Sequence, residues 1–330
     1  MHPYEGLNFF EFFIKLISRL YAFLQGKISL TDIATDEIQI IVLMGVAASA
    51  AILGTFLVLR KMTMLANALS HTVLLGIVLA YVSSHFAEIS IETMLLCALI
   101  TGLFTTYLTE CLTKITKLQE DASIGLVFTS LFALGIILAT VFTRNAHLGI
   151  ETVMGNADAL QLEDCQWVLI ILGLNIVLTT LFFKEFVLTT FDPPLGTALG
   201  FSVIFFNYLL MSQTSATTLG GFRAVGVLMV LAFLTGPVLM ARLLTHHLKT
   251  ALLLAILLGC SASLIGVALS RHMLSVYDIP LSTSGLVVCV IAILFLLIRT
   301  VISIVNNSCC GDHRIRREKE NQDTEKKEAY

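Results

Sequence analysis

Apolar runs about twenty residues long, divided by short polar stretches, repeat along almost the whole chain. A bilayer-spanning helix needs about 20 mostly apolar residues. Nine stretches approach that length: roughly 38–59, 63–82, 89–108, 122–142, 166–183, 195–215, 222–241, 248–270 and 282–303. The sixth is the least regular, because Asn207 and the polar run Ser212–Thr218 interrupt it, a pattern that fits a tilted or broken helix. The predicted fold is all-α: a polytopic membrane helix bundle with about nine transmembrane helices.

Residues 7–25 follow a different rule. Glu11, Lys15 and Arg19 recur every four residues and make one polar stripe among apolar neighbours. That pattern predicts a helix lying in the membrane interface; a tenth, poor span is the other reading. A cleavable signal does not fit, since charges interrupt the apolar part and no small-residue cleavage site follows. The chain thus divides into an N-terminal amphipathic, interfacial segment (1–37), a transmembrane region (38–303) and a charged tail (304–330). The end of the tail alternates charge without apolar periodicity and is expected to be disordered and cytoplasmic.

Lys and Arg set the orientation. With nine spans and the N-terminus outside, fourteen of these residues fall on the cytoplasmic side and six outside. The first span is rich in small residues (Gly45, Ala47, Ala48, Ser49, Ala50, Ala51, Gly54), and so is the eighth (Gly259, Ser261, Ala262, Ser263, Gly266). Small residues let helix backbones approach closely in lipid, so a compact bundle is expected.

Composition agrees. The 330 residues are 57% apolar and only 13% charged, with mean hydropathy +0.90, against about 45–50% and about 25% for a soluble domain. The net charge of −3 decides nothing, because the charges sit in loops and tails. No basic stripe lies outside the last twenty residues, so nucleic-acid binding has no support. The seven cysteines show no spacing of a zinc site or a disulfide framework. There is no GxxxxGK[ST], HExxH or GxSxG, and no carboxylate pair sits in mid-span. A catalytic role on this chain is therefore not indicated.

Asn67 and His71 are the residues that carry candidate chemistry. They are four apart and share a helix face inside the second span. An intramembrane histidine needs a partner or a role. Imidazole nitrogen ligates Mn, Fe and Zn, and a carboxamide oxygen suits harder ions. His71 lies nine residues into its span, roughly 13 Å along the axis, well inside a hydrocarbon core of about 30 Å. A histidine hydrogen-bonded to a neighbouring helix fits the same spacing, and the residues alone leave both readings open.

Other polar positions have structural readings beside functional ones. Glu120 and Asp121 precede an apolar run and suit a helix start, with Ser123 as a cap. Phe191-Asp192-Pro193-Pro194 forbids a continuous helix and reads as a turn. Pro237 should break or kink the seventh span near the cytoplasm. Beyond it, Arg242, Leu243 and Leu244 form a short amphipathic piece at the membrane edge, fit to dock on a soluble partner, with Thr245 closing it. His246 and His247 read as a solvated loop. Outside, His147, Glu151, Asp158, Glu163 and Asp164 make an acidic loop that would concentrate cations.

These motifs, in this order, resemble the permease subunits of ABC importers for manganese, zinc and iron. LRKMTMLANALSHTVLLG (59–76) is similar to the family's LRRMSLLGDALSHAVLPG, and EDASIGLVFTSLFALGIIL (120–138) to its EDSxxGIxFxxLFALGIVL. KEFVLTTFDPPLGTALG (184–200) is similar to KELLLxSFDPExAxALG, and AVGVLMVLAFLTGPVLMARLLT (224–245) to AVGVLLVxALLxxPAxxARLLT. The likeness runs from about Gly45 to Leu297. It implies a multi-pass permease of a bacterial cytoplasmic (inner) membrane. Two permease chains would form the channel, two separate ATPase subunits would bind beneath, and an extracytoplasmic binding protein would deliver the ion. On that resemblance His71 and Asn67 line the metal path. Pro237, Arg242, Leu243, Leu244 and Thr245 belong to the coupling element in the ATPase cleft, with Glu120, Asp121, Phe191 and Asp192 at the cytoplasmic docking face. No permanent cofactor is implied, only a transported divalent metal ion.

Two departures matter. The family's Asp four residues before the histidine is Asn67, and the Pro of its LPG is Leu75. Losing a carboxylate weakens attraction for a dication; pairing with a different permease chain that supplies stronger ligands would compensate. The other readings are an ion-driven secondary transporter acting alone and the related permease type for siderophores or cobalamin. Which metal is carried is not fixed by imidazole and amide ligands.

Overall fold

The computed structural model describes residues 4, 8–25, 34–83, 91–117, 119–143 and 157–328. The helices are α1 (Phe9–Leu24), α2 (Thr35–Leu59), α3 (Thr63–Ser83), α4 (Ile91–Thr116), α5 (Glu120–Thr143), α6 (Leu162–Leu181), α7 (Phe183–Phe191), α8 (Pro193–Ala198), α9 (Val203–Val225), α10 (Val227–Leu244), α11 (Leu248–Tyr277) and α12 (Thr283–Glu328). Among the described residues, eight helices are long and apolar enough to cross a membrane: α2 to α6 and α10 to α12.

The sixth predicted span is not among these eight. In place of 195–215, the helix there is α9 (Val203–Val225). Asp192 caps α8, its carboxylate accepting from the Leu195 N–H at 3.1 Å, and the prolines occupy the first positions of that helix. Pro suits this place because its missing N–H would have no helical partner there. The chain re-enters a helix at Ser202, whose hydroxyl accepts from the Phe205 N–H. The seventh span likewise begins at Val227 rather than 222, because Gly226 takes φ +87°, a conformation glycine adopts without a Cβ penalty. The polar run Ser212–Thr218 is turned into the bundle: Gln213, Thr214, Ser215, Thr217 and Thr218 are buried.

α2 is the hub. It packs on α6, α9, α10 and α11, and its small residues explain how. A Cβ on Gly54 would strike the Leu234 carbonyl of α10, and one on Gly45 would come within 2.8 Å of Val168 in α6. Ala47 lies 3.4 Å from where Gly259 of α11 would carry a Cβ. α3, α4 and α5 pack on one another, and α9 joins this trio to the hub through α4 and α3.

α1 is docked rather than loose. Phe9 packs edge-on to His272 of α11 at 6.5 Å between centroids. Arg19 pairs with Glu37 at the head of α2, and the Tyr4 hydroxyl donates to the same carboxylate at 2.7 Å. Burial and the Glu37 carboxylate hold the Tyr4 phenol above its ordinary range. The opposite face, Phe10, Ile14, Ile17 and Tyr21, is exposed.

One further expectation is corrected: α10 continues through Pro237, which does not break it.

Candidate translocation site

His71 and Asn67 lie half-buried on one face of α3. The His71 ring sits between two phenylalanines of α5, with centroids 5.1 Å from Phe128 and 5.4 Å from Phe132; those two rings stack at 6.0 Å. Both belong to the 120–138 stretch, so two of the four sequence motifs meet at this face. Close backbone packing holds α3 in place. A Cβ on Gly76 would lie 2.9 Å from the Ala98 Cα of α4, and one on Gly135 of α5 would lie 3.2 Å from the Leu75 nitrogen. Leu75 thus stands where α5 presses against α3. The Thr105 and Thr72 hydroxyls, 3.2 Å apart, tie α4 to α3.

Phenylalanine carries no N–H, O–H or carbonyl, so these two ring contacts orient the imidazole without using its nitrogens. What it can do is offer one nitrogen lone pair to a cation. Among the described residues no three His, Cys, Asp or Glu side chains gather into a metal-holding group.

Arg60, which follows α2, ties together the ends of α2, α7 and α9. Its guanidinium donates to Thr190 Oγ1 (2.9 Å) and Thr189 Oγ1 (2.8 Å) of α7 and to Asn207 Oδ1 of α9. Burial draws it down to about 10. Asn207, which interrupts the apolar pattern, is therefore an acceptor for a part-buried cation. Nothing in the local sequence signals this pairing beyond an Arg at a span end and an Asn inside a span.

The predicted coupling residues divide. Pro237 is buried, 3.5 Å from the Cβ position of Gly259. Arg242, Leu243 and Leu244 form the exposed end of α10. Thr245 follows in extended backbone, and its hydroxyl accepts from the His247 N–H at 3.3 Å. His246 and His247 are exposed. α5 begins at Glu120 and Asp121 is exposed, whereas Ser123 is fully buried one turn inside rather than capping the helix. Phe191 is exposed beside Asp192. Of the acidic outer loop, His147 and Glu151 lie outside the described residues. Asp158 accepts from Gln39 and Thr283, and Asp164 accepts from the Gln161 N–H.

Residues 36–302 match the family model described as "ABC 3 transport family". A "probable metal transport system membrane protein" of Chlamydia muridarum is 41% identical over 295 residues, covering 89% of this chain and 92% of that protein. "Manganese transport system membrane protein MntD" of Bacillus subtilis is 41% identical over 67% of this chain and 78% of its own length. "Zinc transport system membrane protein TroD" of Treponema pallidum is 35% identical over 72% and 67%. Among solved structures, PsaBC from Streptococcus pneumoniae in complex with Fab superposes with TM-score 0.69 at 25% identity, covering 84% of this chain and 95% of that one. On the extent of the family match and of these relatives, the chain belongs to the ABC 3 transport family.

Proposed function

We propose that this chain is the membrane-spanning permease of an importer that carries a divalent transition-metal ion into a bacterial cytoplasm, energised by a separate ATPase. The observation that carries the reading is the Asn67–His71 face of α3: a polar, half-buried pair inside a span, with its imidazole braced by Phe128 and Phe132. Relatives named for manganese and for zinc support the class of cargo. A single imidazole and one amide make an incomplete shell for a dication, which supports a second permease chain contributing further ligands. An extracytoplasmic binding protein delivers the ion, and the exposed end of α10, from Arg242 to Thr245, meets the ATPase.

His71→Ala in the assembled transporter is expected to lower uptake of Mn²⁺ and Zn²⁺ at least tenfold while ATPase binding is kept. Undiminished uptake would remove the ion-path role. Uptake by the purified chain reconstituted without any ATPase would replace the reading with a secondary transporter.

A further inference from the structure

At the end of the bundle opposite Arg60, the first turn of α2, the last turns of α11, the start of α12 and the 3₁₀ turn Ala157–Ala159 enclose a cavity of about 350 Å³. The Lys and Arg distribution places this end outside the cytoplasm. Asp36, Gln39, Asp158, Ser270, Arg271 and Thr283 line it.

Asp36 is 3% exposed. Arg271 donates to it from Nε at 3.0 Å and from Nη2, but both bonds go to Oδ1. Oδ2 is buried and has no hydrogen-bond partner among the described residues. An unpaired buried carboxylate oxygen is costly and calls for a water or an ion. Asp158, on the other side, uses Oδ1 to accept from Gln39 Nε2 (3.0 Å) and Thr283 Oγ1 (2.5 Å). The Thr283 and Ser270 hydroxyls are 3.0 Å apart.

With both carboxylates and the guanidinium charged, the cavity holds one net negative charge among oxygens from carboxylate, hydroxyl and amide groups. Oxygen-rich sets of this kind suit hard divalent ions. At about 30 Å³ per water, the volume admits such an ion with much of its hydration shell. Asp36 also complements the N-terminus of α2, and Arg271 pairs with it through Oδ1 alone.

We propose that Asp36 and Asp158 form an extracytoplasmic receiving site for a divalent cation, ahead of the Asn67–His71 face, with Arg271 as the counter-ion that the cation displaces from Asp36. This rests on the reading of the chain as a divalent-cation permease.

The test is Mn²⁺ titration of the purified full-length chain in detergent, read by the electron paramagnetic resonance signal of free Mn²⁺, with no ATPase or binding protein present. Asp158→Asn leaves the Asp36–Arg271 pair intact and is expected to weaken Mn²⁺ binding at least tenfold, whereas His71→Ala retains this binding. Arg271→Gln removes the competing charge and is expected to strengthen binding several-fold, with Mn²⁺ raising the melting temperature of that variant. Binding by Asp158→Asn equal to wild type overturns the site. An Arg271→Gln variant whose melting temperature falls and is not restored by Mn²⁺ reduces Arg271–Asp36 to a structural pair and also overturns it. Uptake by His71→Ala decides the permease reading separately, because the titration measures binding without transport.

Discussion

His71 and Phe128 meet ring to ring across the α3–α5 contact, their centroids 5.1 Å apart and their planes tilted by 42°. The contact fixes where the imidazole points and leaves its nitrogens unclaimed by the phenyl ring. Such ring pairs are worth about 0.5–1.5 kcal/mol beyond area burial. Phe128→Leu keeps apolar volume and removes the ring, so uptake is expected to fall up to about tenfold while assembly is unchanged. Radiolabelled Mn²⁺ uptake in cells, with the membrane abundance of the complex measured alongside, checks this.

Asn67→Asp places a carboxylate one helical turn from His71. An opposite charge close to a dication binds it more tightly, and tighter binding slows release. The expected outcome is higher Mn²⁺ affinity of the purified complex together with lower maximal uptake. Equal affinity in wild type and variant would show that position 67 does not face the ion.

Arg60→Met takes the cation away from Thr189, Thr190 and Asn207. Hydrogen bonds to charged groups contribute about 1.5–3 kcal/mol each, but burying the guanidinium costs free energy that the variant recovers. The threonine hydroxyls also keep their own backbone acceptors, so the net loss is expected near the lower end, on the order of 1–2 kcal/mol. Arg60→Lys should not restore it, since one ammonium lacks the fork that reaches three acceptors. Thermal unfolding in detergent gives the comparison.

Arg242→Glu with Leu243→Asp reverses the charge and removes apolar surface at the exposed end of α10. The permease is expected to reach the membrane and remain folded, yet lose the ATPase or its transport-linked turnover. Copurification with the ATPase at wild-type yield, with normal uptake, would count against docking at this end.

The apolar spacing located most spans within a few residues, because spanning helices are long and lipid demands a continuous apolar run. The polar face of α3 was legible for a related reason: Asn67 and His71 stand out against an apolar background. The helix limits around α8, α9 and α10 were harder to read. They depend on Gly226 taking a left-handed φ and on Arg60 reaching Asn207, 147 positions away. The Arg271–Asp36 pair joins residues 235 positions apart. No local pattern encodes such meetings, which arise only when helices pack. At Pro237 the helix is not broken, and the packing of that ring beside Gly259 of α11 is not visible from the local sequence.

The absence of a side chain at Gly54 sets its backbone directly against the Leu234 carbonyl. The two helices are thereby keyed together near the C-terminal end of α2 and have little freedom to slide past each other. Leu243 and Leu244 stand at one extremity of this joined shaft, and Asp36 and Glu37 at the other. A displacement at either extremity is therefore carried to the other by two helices moving as one lever, with no need to melt either on the way.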